Sequence, residues 1–321
     1  MSTILVTGAT GSAGRCVIPA LQSLGFQVRG QYNRERGLEE HVDWRQMNFL
    51  ESLDFGPLVE GCDAVVHLAA EVRDASRMDR VNVEATRALL AAAQSGGARY
   101  FGYASSIVVY GSPRHRVVDE STPLLDPHAP MVRQYHAEPY MLQYARTKTL
   151  AEVGIRDFQP EISVDFYRAA AVADFDRFLE AGNWSYIRKF GAAYRRTQYI
   201  YTLDVAAAIA HLVTRSLSSK EDRPRIEAFN ICDEDCGTFR DVLNAAYSAT
   251  GDPRYKLGAD LPIILDLAKD LVKYRNTVIR YPLGMLRFSN AKLIATGFRF
   301  PTGVKLALEQ AIAKQLRQRD V

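Results

Sequence analysis

The chain has 321 residues, 47% hydrophobic and 24% charged, with a formal net charge of +3. That composition fits a globular protein with an ample core. Both signs of charge are interspersed and no basic run reaches five residues, which argues against nucleic acid or an anionic membrane as partner. No apolar run reaches spanning length, and the first strand begins almost at Met1, so no leader is expected and the expected location is cytoplasmic. Cys16, Cys62, Cys232 and Cys236 are too few to frame a disulfide scaffold, and the lone C-x3-C lacks a second ligand pair, so no metal site is expected.

Thr3 to Thr7 reads as a buried strand, and the residues after the next turn read as a helix to Leu24, closed by Gly25. Between them stands Gly8-Ala9-Thr10-Gly11-Ser12-Ala13-Gly14. Strand, glycine turn and helix form a phosphate cradle: glycines let the backbone approach a pyrophosphate that rests on the helix N-terminus. Gly8, Thr10, Gly11, Ser12, Ala13 and Gly14 are therefore candidate cofactor contacts. Gln27 to Tyr32 is the second strand. No carboxylate stands at its tip to hold a ribose diol; the run is Tyr32-Asn33-Arg34-Glu35-Arg36. Asn33 flanks the adenosine position, and Arg34 and Arg36 could receive a 2′-phosphate, which favours NADP(H) over NAD(H). Val42 to Met47 is a third strand ending at Asn48, a candidate adenine neighbour, and Ser52 to Glu60 a short helix. Ala64 to Leu68 is a fourth strand. His67 reads as a core histidine, and Leu68, Ala69 and Ala70 would let a flat cofactor lie against the backbone.

A long helix is expected from Arg77 to Ser95, with Val81, Leu89 and Leu90 inward and Asn82 on the inner side. Tyr100 to Ser105 is the fifth strand, followed by Ser106 and Ile107 to Gly111. Strand–helix alternation through this half predicts an α/β fold with a doubly wound parallel Rossmann sheet. Residues 112–138 form a long irregular connection. A helix from Pro139 to Asp157 then carries Tyr144 and Lys148, four apart and on one face. An ammonium there can stabilise a phenolate and lower the tyrosine pKa for acid–base work. Lys148 is the one lysine among residues 1–188, which hold 18 arginines. Ile162 to Tyr167 is the sixth strand, Tyr199 to Tyr201 a short one, and Leu203 to Ser216 a helix that Asp204 helps begin. Glu227 to Ile231 is a late strand, followed by a helix capped by Thr238, an amphipathic stretch over Leu261 to Tyr274, and a last helix from Gly303. The expected division is a dinucleotide domain (1–168 and 199–232) and a smaller substrate lobe (169–198 and 233–321).

The glycine motif, His67-Leu68-Ala69-Ala70, Asn82-Val83, Ser105-Ser106 with Val109-Tyr110-Gly111, and Tyr144 with Lys148 occur in an order that resembles the extended short-chain dehydrogenase/reductase family. Tyr199-Ile200-Tyr201 with Asp204, Phe229-Asn230-Ile231 and Gly297-Phe298 with Pro301 look like its C-terminal landmarks. The resemblance implies that Ser106 holds a substrate oxygen, that Tyr144 passes it a proton, that Lys148 holds the nicotinamide ribose, and that Asn82 supports the lysine through water. It also implies a homodimer through the helices of Asn82 and Tyr144. Departures matter too. After Arg168 the family's Tyr-Gly pair is replaced by Ala169 to Ala173 and Asp174. Ile107 and Val108 stand where 4,6-dehydratases carry Asp-Glu. Arg196 only approximates the epimerases' diphosphate ligand. The long connection and the aliphatic 261–274 stretch look more like dihydroflavonol reductases and 3β-hydroxysteroid dehydrogenases. The expected activity is hydride transfer between NADP(H) and a secondary alcohol or ketone of a largely apolar small molecule. A sugar-nucleotide epimerase is the alternative, and a cofactor-binding regulator without turnover the second.

Overall fold

A computed structural model describes residues 2–111, 113, 115, 117–129, 139–186, 188–189, 198–219, 223–236, 239–257 and 287–319. Its strands are β1 (Thr3–Thr7), β2 (Gln27–Tyr32), β3 (Val42–Gln46), β4 (Ala64–His67), β5 (Tyr100–Ser106), β6 (Val117–Val118), β7 (Ser163–Ala169), β8 (Ala171–Ala173), β9 (Tyr199–Tyr201), β10 (Ile226–Ile231) and β11 (Arg287–Phe288). Seven of them form one sheet in the order β10-β7-β5-β4-β1-β2-β3, with every pair parallel. The chain builds outward from β1 through β2 to β3, then returns to the other side of β1 with β4. That reversal opens a crevice at the carboxyl ends of β1 and β4, where ligands of such sheets bind. Two small parallel ribbons accompany the sheet, β8 with β9 and β6 with β11.

The helices in chain order are α1 (Ser12–Ser23), α2 (Gly56–Val59), α3 (Ala75–Met78), α4 (Ala85–Ser95), α5 (Pro139–Phe158), α6 (Phe175–Leu179), α7 (Thr202–Ser218), α8 (Phe239–Thr250), α9 (Ala291–Ala295) and α10 (Gly303–Arg319). The central strands are buried on both faces, so their apolar runs need cover twice. On one face α1 and α7 bring Val17, Ile18, Leu21, Val205, Ile209 and Leu212 against Ile4, Val6 and Val66. On the other, Leu89, Leu90, Ala151 and Ile155 meet Leu5, Val65, Phe101 and Phe166. A third core joins Phe175, Leu179, Phe239, Leu243, Tyr255 and Ala307.

Several expectations change. The helix expected from Ser52 is a single turn, α2. The long helix of Arg77 to Ser95 is continuous but contains a π-helical turn, Asp79–Glu84, between α3 and α4. Asp204 does not serve its own helix alone. Its buried carboxylate accepts from Thr302 N at 3.0 Å and Gly303 N at 2.8 Å. Asp233 adds a bond from Val304 N at 2.8 Å. Two carboxylates thus satisfy the free amides at the start of α10, where negative charge also complements the helix dipole. Asp204→Ala should therefore cost about 2–4 kcal/mol in denaturant unfolding, because two charge-assisted bonds go at once. An unchanged unfolding midpoint would contradict that role. Thr238, Arg196 and the 261–274 stretch lie outside the described residues.

Candidate active site

The glycine turn is shaped by close approach. Gly8 has φ +63°, and a Cβ there would meet Ala69 N at 2.8 Å. A Cβ on Gly14 would meet the carbonyl oxygens of Gly8 and Ala9 at 2.5 Å. Gly11 caps α1 with no side-chain hydrogen bond, so the first helical amides keep their capacity for an anion. Gln31 braces the turn from below: its Oε1 accepts from Gly8 N at 2.9 Å and its Nε2 donates to Met47 O at 2.7 Å. Sequence reading passed over Gln31, whose one signal was a polar residue in an apolar strand. Thr10, Ser12 and Ala13 stand on this rim, and Leu68, Ala69 and Ala70 line the opposite side of the crevice, half-buried. These features fit a dinucleotide pyrophosphate.

At the adenosine end, Asn33, Arg34 and Arg36 are exposed just past β2. Asn48 uses its amide locally, with Nδ2 donating to Glu51 Oε1 at 2.7 Å and Oδ1 accepting from Leu50 N at 3.1 Å. Adenine contact through Asn48 would require it to leave that turn.

Tyr144 and Lys148 lie on α5, beside the carboxyl end of β5. The Lys148 amine is buried, donates to Ala104 O at 2.6 Å, and sits 4.6 Å from the Tyr103 ring centroid and 5.7 Å from that of Tyr144. Tyr144 packs against a small cluster of Val108, Leu125 and Ala145, and Val108 belongs to the short 3-10 turn Ile107–Tyr110. Ser106 starts that turn, and its Oγ accepts from Val108 N and donates to Ala169 O, both at 3.4 Å. Long bonds of this kind leave the hydroxyl free to turn toward another oxygen. Burial acts on both titratable groups. It pushes the Tyr144 phenol up to about 12 and the Lys148 ammonium down to about 7, the latter opposed by the charge of Glu152 one turn along. The sequence expectation of a lysine-lowered phenol is therefore corrected. Desolvation sets the direction of the shift, and without ligand Tyr144 is a proton donor at neutral pH.

Asn82 occupies the π-helical turn, a form that clusters at functional sites. Its Oδ1 accepts from Glu71 N at 2.8 Å, and its Nδ2 donates to Glu71 O at 2.9 Å and Thr147 Oγ1 at 3.1 Å. It joins the Ala70–Glu71 bend to the residue before Lys148 rather than touching the lysine. His67 is the core histidine that the sequence suggests. Its Nδ1 lies 2.6 Å from Thr7 Oγ1 and its Nε2 2.9 Å from Thr86 Oγ1. Ala69 N donates to Thr7 Oγ1, and Thr86 Oγ1 donates to Asn82 O. Thr7 is then the donor to Nδ1, and the ring carries its proton on Nε2. Burial, with Lys148 nearby, drives His67 down to about 3, so it stays neutral.

The sequence matches the NAD dependent epimerase/dehydratase family over residues 4–232. The chain belongs to that family. A UDP-glucose 4-epimerase from Rhizobium leguminosarum bv. trifolii is 29% identical over 57% of this chain and 55% of its own. A Synechocystis sp. protein, provisionally named a dihydroflavonol 4-reductase, is 32% identical over 33% of each chain. A ceramide reductase from Caulobacter vibrioides is 29% identical over 40% of this chain and 44% of its own. The matches span about half or less of these relatives' lengths. Among solved structures, a short-chain dehydrogenase/reductase superfamily protein from Agrobacterium tumefaciens with bound NAD has a TM-score of 0.74. At 24% identity it covers 99% of this chain and 98% of its own. The Rossmann fold of the extended short-chain enzymes is thereby shown. Among the described residues no group of side chains could hold a metal ion, and no helix is long and apolar enough to cross a membrane.

Two further residues belong to the site's foundation and escaped sequence reading. Glu152 and Arg168 form a fully buried, bidentate ion pair, Nε to Oε1 at 3.0 Å and Nη2 to Oε2 at 2.6 Å. Arg168 Nη1 also donates to Tyr110 Oη at 2.8 Å, and Tyr110 Oη donates to Asn230 Oδ1 at 2.7 Å. A glutamate four residues after Lys148 was the available signal.

Proposed function

We propose that the protein reduces a ketone, or oxidises the matching secondary alcohol, on a largely apolar molecule, with NADP(H) as redox partner. The observation that carries this reading is Tyr144 on α5, with Lys148 Nζ 5.7 Å from its ring centroid and Val108 of the Ser106 turn in the cluster it packs against. Bound NADPH supplies the hydride. Ser106 Oγ donates a hydrogen bond to the substrate oxygen, and Tyr144 Oη gives it the proton that completes the alcohol. In the reverse direction Tyr144 must first give its proton to solvent, and Lys148, an ammonium only below about pH 7, favours the phenolate where it is charged. Ala169 to Ala173 offer no polar side chain beyond their backbone, and Val172 is 43% exposed there, which suits an apolar substrate. The names of the two reductase relatives support the same class. We assign the third core to the substrate lobe (169–198 and 233–321).

The epimerase relative favours a second reading, in which Tyr144 acts on a sugar hydroxyl with no net change in cofactor. An NADPH-depletion screen across apolar ketones, run beside UDP-sugars, separates the two. Consumption of NADPH with a ketone supports reduction; conversion of a UDP-sugar at constant cofactor supports the alternative.

The cofactor preference rests on Arg34 and Arg36, exposed past a strand tip that has Tyr32 where a ribose-binding acid would stand. NADPH should bind at least tenfold tighter than NADH, and Arg34→Ala should cut that ratio several-fold. Equal affinities in the starting protein would remove the argument.

A further inference from the structure

The end of β5 is held to α5 by two bonds from successive strand residues. Lys148 Nζ donates to Ala104 O at 2.6 Å. One helical turn further on, Glu152 Oε1 accepts from Ser105 Oγ at 2.5 Å. The next strand residue is Ser106. Glu152 is 0% exposed, Ser105 5% and Arg168 2%, so no water competes for these bonds. Arg168 fixes the carboxylate from β7 through both oxygens, and Ser106 pairs with Ala169 next to Arg168 in the β5–β7 register. Arg168 continues to Tyr110 at the far end of the turn that Ser106 begins.

We propose that Ser105 and Glu152 are positioning residues: their bond sets the height of the β5 end against α5, and so the placement of Ser106 relative to Tyr144. The inference rests on the hydride-transfer reading for its effect on turnover, but the bond itself does not. Ser105 is the useful handle. Glu152 carries the charge that pairs with Arg168, so its removal leaves a buried cation and threatens folding. Ser105→Ala removes one hydroxyl and keeps the ion pair. Ser105→Thr restores the hydroxyl at the cost of one methyl group.

Amide hydrogen exchange over residues 104–108 and steady-state kinetics, on the same three proteins, test the proposal. In Ser105→Ala, exchange in that segment should rise at least tenfold. The kcat for the ketone identified by depletion should fall at least tenfold, with substrate KM and NADPH Kd within about threefold of the starting protein. Ser105→Thr should recover both losses, which a general loss of packing would not do. Wild-type exchange and kcat in Ser105→Ala, or failure of Ser105→Thr to recover them, overturns the proposal. If the unaltered protein reduces no ketone, the hydride-transfer reading falls. The exchange arm then decides the positioning claim by itself.

Discussion

Tyr144→Phe should lower kcat by about 10²–10⁴-fold, the range for losing a placed general acid. NADPH affinity should stay within about threefold. The phenol oxygen is the part of Tyr144 assigned to the substrate, whereas the side chain packs against the cluster of Val108, Leu125 and Ala145, and phenylalanine keeps the ring. Because burial holds the phenol near 12, reduction by the starting protein should show no loss of activity from tyrosine ionisation across pH 6 to 9. Oxidation of the alcohol should instead speed up with rising pH, since it needs the phenolate. Stopped-flow and steady-state rates in both directions would check this. A Phe variant with full turnover would remove Tyr144 from the mechanism.

Lys148→Met should have two effects of opposite sign. Turnover should fall by at least about 10²-fold, because the group assigned to the nicotinamide ribose and to phenolate compensation is lost. Stability should rise at pH 7 and below. The ammonium titrates at about 7 in the folded protein against a reference of 10.5, so below pH 7 the folded chain carries a buried cation. That cost is greatest below pH 7. It is relieved as pH rises from about 7 to 10.5, where the folded state is neutral while the unfolded chain still binds the proton. Methionine avoids the cost, for a gain on the order of a few kcal/mol at pH 6, reduced by the bond to Ala104 O that is lost. The gain should vanish above about pH 10.5. Urea unfolding of both proteins at pH 6 and pH 10 reads the difference, and a Met variant less stable at pH 6 would contradict the burial argument.

What the sequence disclosed was local or periodic. The glycine turn is legible because it is one contiguous stretch between a strand and a helix, and Tyr144 with Lys148 because a helix fixes their spacing. The parallel sheet follows from apolar strands alternating with helices. Other features depend on residues far apart in the chain. Asp204 reads as the acid of its own first turn, yet it meets Thr302, 98 residues later. The π-helical turn at Asn82 escapes the hydrophobic pattern because six residues are too few to define a helical period. The proton affinity of Tyr144 is hidden for a related reason. A neighbouring ammonium can be read from spacing, but desolvation by the surrounding fold cannot. Glu152 on α5 and Arg168 on β7 stand 16 residues apart, and only the fold brings them together.

The most direct test of the central claim follows the hydrogen. NADPH deuterated at C4 on each face in turn would be given to the protein with a ketone from the depletion screen. The expected result is deuterium on the carbinol carbon from one face only, one atom per NADPH oxidised, and its loss in Tyr144→Phe. A product without deuterium from either face, or a UDP-sugar epimerised with no net oxidation of NADPH while every ketone stays untouched, would contradict it.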